Sequence, residues 1–183
     1  MSNHKEILPA VRKYRILVVP LIVIIIVGWI WCWWWPYNVT TVYIARHAEK
    51  LNATPDTPLS TAGLYRATEL AHVLKDEGIN AVFVTEFQRT QQTGEPSALQ
   101  AGISMTQYSA GTAQNLVDTI LQDHAGDRVL VIAHSNTVDD IAAELGVTGV
   151  PELSENQFDR LFVVHRFASK AHLDRLRYGE QTP

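Results

Sequence analysis

Arginine and histidine, the two side chains best suited to handling phosphate, follow three separate apolar segments of this sequence. Arg46 and His47 come after the first segment, Glu86 and Arg89 after the second, and His134 after the third. A neutral imidazole is a good nucleophile near pH 7. A guanidinium group binds two phosphate oxygens through parallel hydrogen bonds. Brought together, these residues could hold a phosphoryl group and accept it on nitrogen.

The residue types suggest a division of labour. His47 would attack phosphorus, Arg46 and Arg89 would hold the phosphate oxygens, and His134 would form a second cationic or hydrogen-bonding wall. The sequence contains no HExxH motif, no cysteine pair and no aspartate cluster at metal-ligand spacing. We therefore expect chemistry that needs neither a metal ion nor another cofactor.

The elements that must position these residues alternate between apolar strands and amphipathic helices. Such repeated βα units predict a three-layer α/β/α sandwich with a mostly parallel central sheet. The carboxyl ends of parallel strands share one edge of a sheet, where ligands bind in open α/β folds. One domain is expected over 39–183, with strands near 39–45, 81–84, 103–106, 128–133, 160–167 and 171–178, and helices near 60–78, 89–99, 113–124 and 137–145.

The first predicted helix has recognisable ends and one apolar face. Ser60 is a favourable N-cap residue and Gly78 a favourable residue at the end of the helix. The spacing of its apolar residues predicts that four of them face the core together: Leu64, Ala67, Ala71 and Leu74.

The N-terminal region differs from the rest of the chain. Residues 16–35 form a run of 20 without a charge, which is long enough to cross a bilayer. Basic residues within 1–15 predict a cytoplasmic N-terminal tail, so the domain from 39 onward would be periplasmic or extracellular. A cleaved signal peptide or a buried core segment are the alternatives. The bulky tryptophans after the apolar run argue against cleavage, and the length of the run argues against a core segment.

Charge excludes one class of partner. The chain carries a formal net charge of −4, while residues 1–38 contain four basic residues and one acidic residue. The domain beyond them is therefore acidic, which is unlike a nucleic-acid-binding surface. The single cysteine, Cys32, excludes a disulfide bond within the chain.

Four blocks of sequence together resemble the histidine phosphatase superfamily, whose fold is phosphoglycerate-mutase-like. They are "YIARHAEK", "PLSTAGLYRATELAHVL", "VFVTEFQRTQQTGEPSAL" and "VLVIAHSNTVDDIAAELG". The resemblance implies that His47 is the nucleophile that accepts phosphate, and that Arg46, Arg89 and His134 complete the phosphate pocket.

The chain departs from the family pattern at two places. The glycine that usually follows the nucleophile is Ala48. The acidic proton donor usually found some 25 to 30 residues after the second arginine is missing, since Gln114 and Asn115 occupy that region with Asp118 at its edge. Glu86 is the favoured alternative donor, ahead of Asp118. A third possibility is that no dedicated acid exists, as in family members that act on labile phosphates.

The resemblance and the anchor predict a membrane-attached phosphatase acting on a phosphomonoester or a phosphohistidine. The chain is small for a phosphoglycerate-mutase-like transferase, whose resemblance would require longer insertions over the active site. A membrane-tethered module that binds a phosphate ligand without turning it over is the alternative from another functional class, because the proton donor is unclear.

Overall fold

A computed structural model describes residues 18, 20, 22–28 and 39–182. The chain divides into two units, the second of which spans Asn38–Pro183 and contains the predicted phosphate-binding residues. Within the first unit, the described residues are helical. Among all the residues that the structure describes, no helix is both long and apolar enough to span a bilayer. The predicted tail over 1–15 and most of the anchor predicted over 16–35 lie outside the described residues, so both stay predictions.

The second unit contains six strands and four helices, here numbered in chain order. The strands are β1 (Thr40–Arg46), β2 (Ala81–Thr85), β3 (Met105–Tyr108), β4 (Arg128–Ala133), β5 (Arg160–Phe167) and β6 (Lys170–Arg177). The helices are α1 (Thr61–Val73), α2 (Gln88–Ala101), α3 (Ala113–Asp123) and α4 (Val138–Glu144). Every strand and helix predicted for this unit is therefore present, with differences of a few residues at the ends.

The six strands form one mixed sheet in the order β3-β2-β4-β1-β5-β6. The pairs β2–β3, β2–β4 and β1–β4 are parallel, as the βα alternation predicts. The last two strands run antiparallel to their neighbours and close one edge as a hairpin. The two-residue turn at Ala168 and Ser169 cannot accommodate a crossover helix, which explains why β5 and β6 pair antiparallel. Four strands with parallel neighbours, β3, β2, β4 and β1, thus lie side by side.

Helices cover both faces of the sheet, which confirms the three-layer sandwich. Successive residues of a strand point to opposite faces. In β1, Val42 and Ile44 pack with the buried residues of α3 and α4, whereas Tyr43 and Ala45 pack with those of α1 and α2. Such burial on both sides explains why the central strands read as continuous apolar runs.

Helix α1 differs from its prediction at one end and on part of its apolar face. Ser60 is the N-cap and its side chain accepts a hydrogen bond from the Gly63 amide, as expected. The helix ends at Val73, and Gly78 lies beyond it at a positive φ of 65°. Leu64 is exposed, while Leu70 is fully buried. Compared with the prediction, the helix is rotated about its own axis. Leu70, which lies on the same face as Ala67 and Ala71, therefore occupies the core position.

Candidate active site

The predicted site residues do meet at one edge of the sheet. Arg46 is the last residue of β1, and His134 directly follows β4. These strands are parallel neighbours, so their carboxyl ends coincide. The amide of His47 donates to the carbonyl of Ala133 over 2.9 Å, which extends the ladder by one residue past β1. The rings of His47 and His134 lie 5.4 Å apart, centroid to centroid.

His47 is fixed in a form that suits a nucleophile. Its side chain is buried, and Nδ1 lies 2.8 Å from the carbonyl oxygen of Ala48. A carbonyl oxygen only accepts hydrogen bonds, so Nδ1 carries the hydrogen and Nε2 keeps a free lone pair. Burial, together with the positive charges of Arg46 and Arg89, lowers the pKa of His47 to about 3. The imidazole is therefore neutral at physiological pH.

The loop that follows His47 is held against two helices. The amide of Ala48 donates to the hydroxyl of Thr93, which in turn donates to the carbonyl of Arg89. On the other side, α1 approaches so closely that a Cβ added to Gly63 would overlap the carbonyl oxygen of Glu49. The glycine of the "PLSTAGLY" block is therefore required by close approach of the helix to the backbone of this loop.

Arg46 is almost fully buried, with 1% of its surface exposed, yet it is incompletely paired. Nη1 donates to the carbonyl oxygens of Ser154 and Gln157, over 2.8 and 3.4 Å, and Nη2 donates to a carboxylate oxygen of Glu155 over 3.1 Å. Its carbon Cζ lies 4.4 Å from the ring centroid of Phe158. The Nε atom is buried without a hydrogen-bond partner among the described residues.

Arg89 lies in the first turn of α2 and shows the same incomplete pairing. Nη1 donates to the carbonyl of Pro55 over 2.7 Å, and Nη2 lies 3.5 Å from Nδ1 of His134. Its Nε is also buried and finds no partner in the described part of the chain. Burial lowers the pKa of both Arg89 and Arg46, which indicates positive charge that the protein itself leaves undercompensated. Such a pair of guanidinium groups is suited to bind an anion.

A chain of hydroxyl groups orients His134. Its Nε2 lies 3.1 Å from the hydroxyl of Thr85, which lies 2.8 Å from the hydroxyl of Thr90. Thr90 donates to the carbonyl of Phe87, so the hydrogens run in one direction and Nε2 of His134 is the donor at the start. Burial and the charge of Arg89 lower the pKa of His134 to about 4. Its Nδ1 thus faces Arg89 as an unprotonated nitrogen.

These residues line one open pocket of about 290 Å³. Its walls include two charged side chains that the sequence did not single out, Lys50 and Glu155. Lys50 lies three residues after His47, whereas Glu155 belongs to the loop before β5. The remaining lining residues are Arg46, His47, Phe87, Arg89, Ala110, His134, Ser135, Asn136 and Thr137.

Neither predicted proton donor is among the lining residues. Glu86 is exposed and accepts a hydrogen bond from the amide of Ala110, which does line the pocket. Its charge is close enough to act on His134. Asp118 is exposed on α3 and accepts a hydrogen bond from Gln114. Glu86 is therefore the better placed of the two, and its role as an acid stays a prediction.

Over the described residues, no group of three or more His, Cys, Asp or Glu side chains is arranged to hold a metal ion. The fold and the site define an α/β domain with a pocket lined by arginine and histidine at the carboxyl edge of its parallel strands.

Comparison with known proteins finds a family model that matches part of the chain. The model of the histidine phosphatase superfamily (branch 1) matches residues 42–110, which include His47 and both candidate arginines. A comparison with curated proteins finds no significant match.

Solved structures share the fold. The protein histidine phosphatase SixA, complexed with tungstate, superposes with a TM-score of 0.60 at 22% identity, covering 75% of this chain and 96% of the other. A mycobacterial glucosyl-3-phosphoglycerate phosphatase gives a TM-score of 0.64 at 14% identity, covering 77% of this chain and 100% of the other. At these identities the likeness shows the fold. The family model matches part of the same domain, over residues 42–110.

Proposed function

We propose that the chain is a phosphatase that hydrolyses a phosphomonoester or a phosphohistidine through a covalent phosphohistidine on His47. One observation carries the proposal. A neutral imidazole shares a pocket with two buried arginines, Arg46 and Arg89, whose Nε atoms find no partner among the described residues. The family match and the phosphatases that share the fold support the same class of reaction.

The reaction would take two steps. The lone pair of His47 Nε2 forms a bond to phosphorus while the bond to the leaving group breaks, and the leaving group takes up a proton. Arg46 and Arg89 hold the phosphate oxygens as their charge redistributes. In the second step the oxygen of a water attacks phosphorus, the P–N bond breaks, and its electrons return to Nε2. Inorganic phosphate and a proton are released.

The position of Glu86 bears on the substrate. Glu86 lies beside the pocket and would supply the leaving-group proton for a stable ester. A phosphohistidine is more labile and depends less on a dedicated acid. A preference for labile phosphates would therefore accompany a weak contribution from Glu86, and replacement of Glu86 by Gln would slow the hydrolysis of alkyl phosphates more than that of aryl phosphates.

A binding module without turnover is the second candidate. Glu155 is the sole carboxylate among the residues that line the pocket in the described part of the chain, and it is paired with Arg46. A pocket without a free acid could hold a phosphate ligand and leave it intact. A phosphotransferase of the mutase type would use the same pocket but pass the phosphoryl group to an acceptor alcohol.

Trapping of the intermediate separates these functions. The protein is exposed briefly to a ³²P-labelled phosphate donor and quenched in alkali, which preserves phosphohistidine. We expect label on His47 and hydrolysis of an aryl phosphate, both abolished in His47→Asn. His172→Asn is the matched control, because His172 is exposed on β6 and contacts Asp174 outside the pocket. Turnover that survives in His47→Asn would overturn the proposal, and release of phosphate to an added alcohol would identify a transferase.

We also propose that residues 16–35 anchor the chain in a membrane, with the N-terminus cytoplasmic and the domain periplasmic or extracellular. The proposal rests on the length of the uncharged run and on the basic residues before it. The anchor would restrict the enzyme to substrates that reach the membrane surface. Extraction with alkaline carbonate tests it, because an integral protein stays with the membrane pellet and a peripheral one is released.

A further inference from the structure

The loop before β5 binds the terminal nitrogens of Arg46. Carbonyl oxygens of Ser154 and Gln157 accept from Nη1, and the carboxylate of Glu155 accepts from Nη2 over 3.1 Å. Arg46 Nε is the nitrogen left without a partner in the described structure. One short segment of chain thus holds both terminal nitrogens of the Arg46 guanidinium.

Glu155 is placed unlike an ordinary surface glutamate. Its side chain is 74% exposed, while that of Arg46 is 2% exposed. The second carboxylate oxygen accepts a hydrogen bond from the hydroxyl of Ser135 over 3.3 Å. Arg46, Ser135 and Glu155 all line the pocket. The carboxylate therefore bridges two pocket walls and brings negative charge into a lining whose other charged members are cations, Arg46, Lys50 and Arg89.

A carboxylate and a phosphate compete for the same donors. Both accept hydrogen bonds from a guanidinium edge, and bidentate binding uses two neighbouring nitrogens. On one edge of Arg46 these are Nε, which is buried without a partner among the described residues, and Nη2, which already donates to Glu155. Nη2 carries two hydrogens and gives one of them to Glu155, so a phosphate that binds Nη2 meets the like charge of the carboxylate on the same nitrogen, which favours displacement of the glutamate.

We propose that Glu155 is an internal competitor for the phosphate site, displaced from Arg46 Nη2 when phosphate binds and retained nearby by Ser135. The proposal rests on the proposed function, because it assumes that the pocket binds phosphate. Glu155 then has two effects. It compensates the charge of Arg46 in the empty enzyme, and it weakens the binding of the product, inorganic phosphate, so that phosphate leaves more readily.

The test compares two charge-removing substitutions on the same loop. Glu155→Gln keeps the size of the side chain and removes its charge. Glu152→Gln removes one negative charge from an exposed position that is not part of the pocket lining. Full-length wild-type protein and both variants are titrated with inorganic phosphate by calorimetry, and inhibition of aryl phosphate hydrolysis by phosphate is measured in parallel.

We expect Glu155→Gln to bind inorganic phosphate roughly 2- to 5-fold more tightly than the wild type, as removal of one exposed competing charge would allow. The inhibition constant should fall by the same factor, and Glu152→Gln should change neither. Glu155→Ala should shift the affinity in the same direction, and thermal denaturation verifies that each variant is folded.

Three results would overturn the inference. Unchanged or weaker phosphate binding in folded Glu155→Gln would show that Glu155 does not compete. An equal gain in Glu152→Gln would show that the effect is long-range charge alone. Absence of both phosphate binding and phosphoryl labelling in the wild type would overturn the proposed function and this inference with it, whereas a labelled wild type with an unresponsive Glu155→Gln overturns the inference only.

Discussion

Arg46 and Arg66 are two buried arginines at the segment around His47, and they differ in how many of their guanidinium nitrogens donate hydrogen bonds. Arg66 donates from Nε to both carboxylate oxygens of Glu49, from Nη2 to the same carboxylate, and from Nη1 to backbone carbonyls of 178–180. All three of its nitrogens are paired. Arg46 uses only its two terminal nitrogens and leaves Nε buried without a partner in the described chain.

The pKa values of the Arg46 and Arg66 guanidinium groups differ in the same sense as their pairing. Burial alone would lower the pKa of each guanidinium. For Arg66 the hydrogen bonds and charge of Glu49 outweigh burial and raise the pKa, whereas for Arg46 burial outweighs Glu155 and lowers it. Arg89 resembles Arg46 in both respects. The difference teaches that Arg66 is fully paired within the fold, whereas Arg46 and Arg89, which line the pocket, each keep a nitrogen without a partner among the described residues.

The largest effect is expected at Arg89, whose Nε has no partner among the described residues. Arg89→Met should lower kcat/KM for an aryl phosphate by roughly 10²- to 10³-fold, because it removes a donor to the charge that develops in the transition state. The free energy of unfolding should change little, because among the described residues Arg89 makes one short hydrogen bond, from Nη1 to the Pro55 carbonyl. Activity assays and urea denaturation of the same preparation measure both. A large loss of stability with little loss of activity would reverse the assignment.

Substitution of Arg66, whose three nitrogens are all paired, should show the opposite result. Arg66→Met leaves the Glu49 carboxylate, with 22% of its side chain exposed, without its cation. We expect the free energy of unfolding to fall by roughly 2–4 kcal/mol, the lower part of this range being favoured by the partial exposure. The kcat of the protein that remains folded should stay within a few-fold of the wild type. Urea denaturation and active-site titration by phosphoryl labelling measure these two quantities.

The buried histidines give stability a pH dependence. His47, with a pKa of about 3, stays neutral in the folded state, whereas an unfolded histidine has a pKa near 6.5. Below pH 6.5 the unfolded chain therefore binds more protons than the folded one, and stability falls as the pH decreases toward 3. Above pH 6.5 this contribution vanishes.

At pH 5 the loss for His47 amounts to roughly 2 kcal/mol relative to pH 8. His47→Gln should remove that share of the pH dependence, while His134, with a pKa of about 4, keeps its own. Urea denaturation of wild type and variant at pH 5 and 8, in buffers without phosphate, measures the difference. Identical pH dependences in the two proteins would contradict the neutral, buried state of His47.

The smallest expected effect concerns the hydroxyl chain behind His134. Thr85→Val removes the acceptor for Nε2 and should cost about 1 kcal/mol of stability. The kcat should fall a few-fold, because the imidazole is no longer held in one tautomer. Thr68→Val is the matched control, since the Thr68 hydroxyl donates to the Leu64 carbonyl on the exposed side of α1. Equal losses of kcat in both variants would argue against an orienting role for Thr85.

Much of the fold was predictable from local patterns. Apolar runs of strand length and the helical periodicities between them are properties of adjacent residues, so all ten elements of the domain could be located in advance. Arg46, His47 and His134 could be grouped because residues that follow parallel strands share one edge of the sheet. The end of α1 and the exposure of Leu64 could not, because tertiary packing decides which part of an amphipathic face is covered.

Loop residues in the pocket were less accessible to prediction. Glu155 lies in the stretch "GVTGVPELSENQ", where no periodicity indicates which side chain turns inward. Lys50 follows His47 so closely that its charge could have been noticed, but nothing local shows that it lines the pocket. The role of Gly63 had a visible signal, because a glycine within the first turn of a helix costs stability unless a close approach requires it.

The sequence by itself determined which side chains suited to phosphate the domain contains and which strands and helices hold them. The chemistry of a side chain follows from its residue type, and the periods of strands and helices follow from neighbouring residues. Only the tertiary structure decided the strand order, the pairing of each arginine and the identity of the carboxylate in the pocket. Those depend on contacts between segments far apart in the chain: Arg46 and Glu155 meet across 109 positions, and Arg66 and Tyr178 across 112.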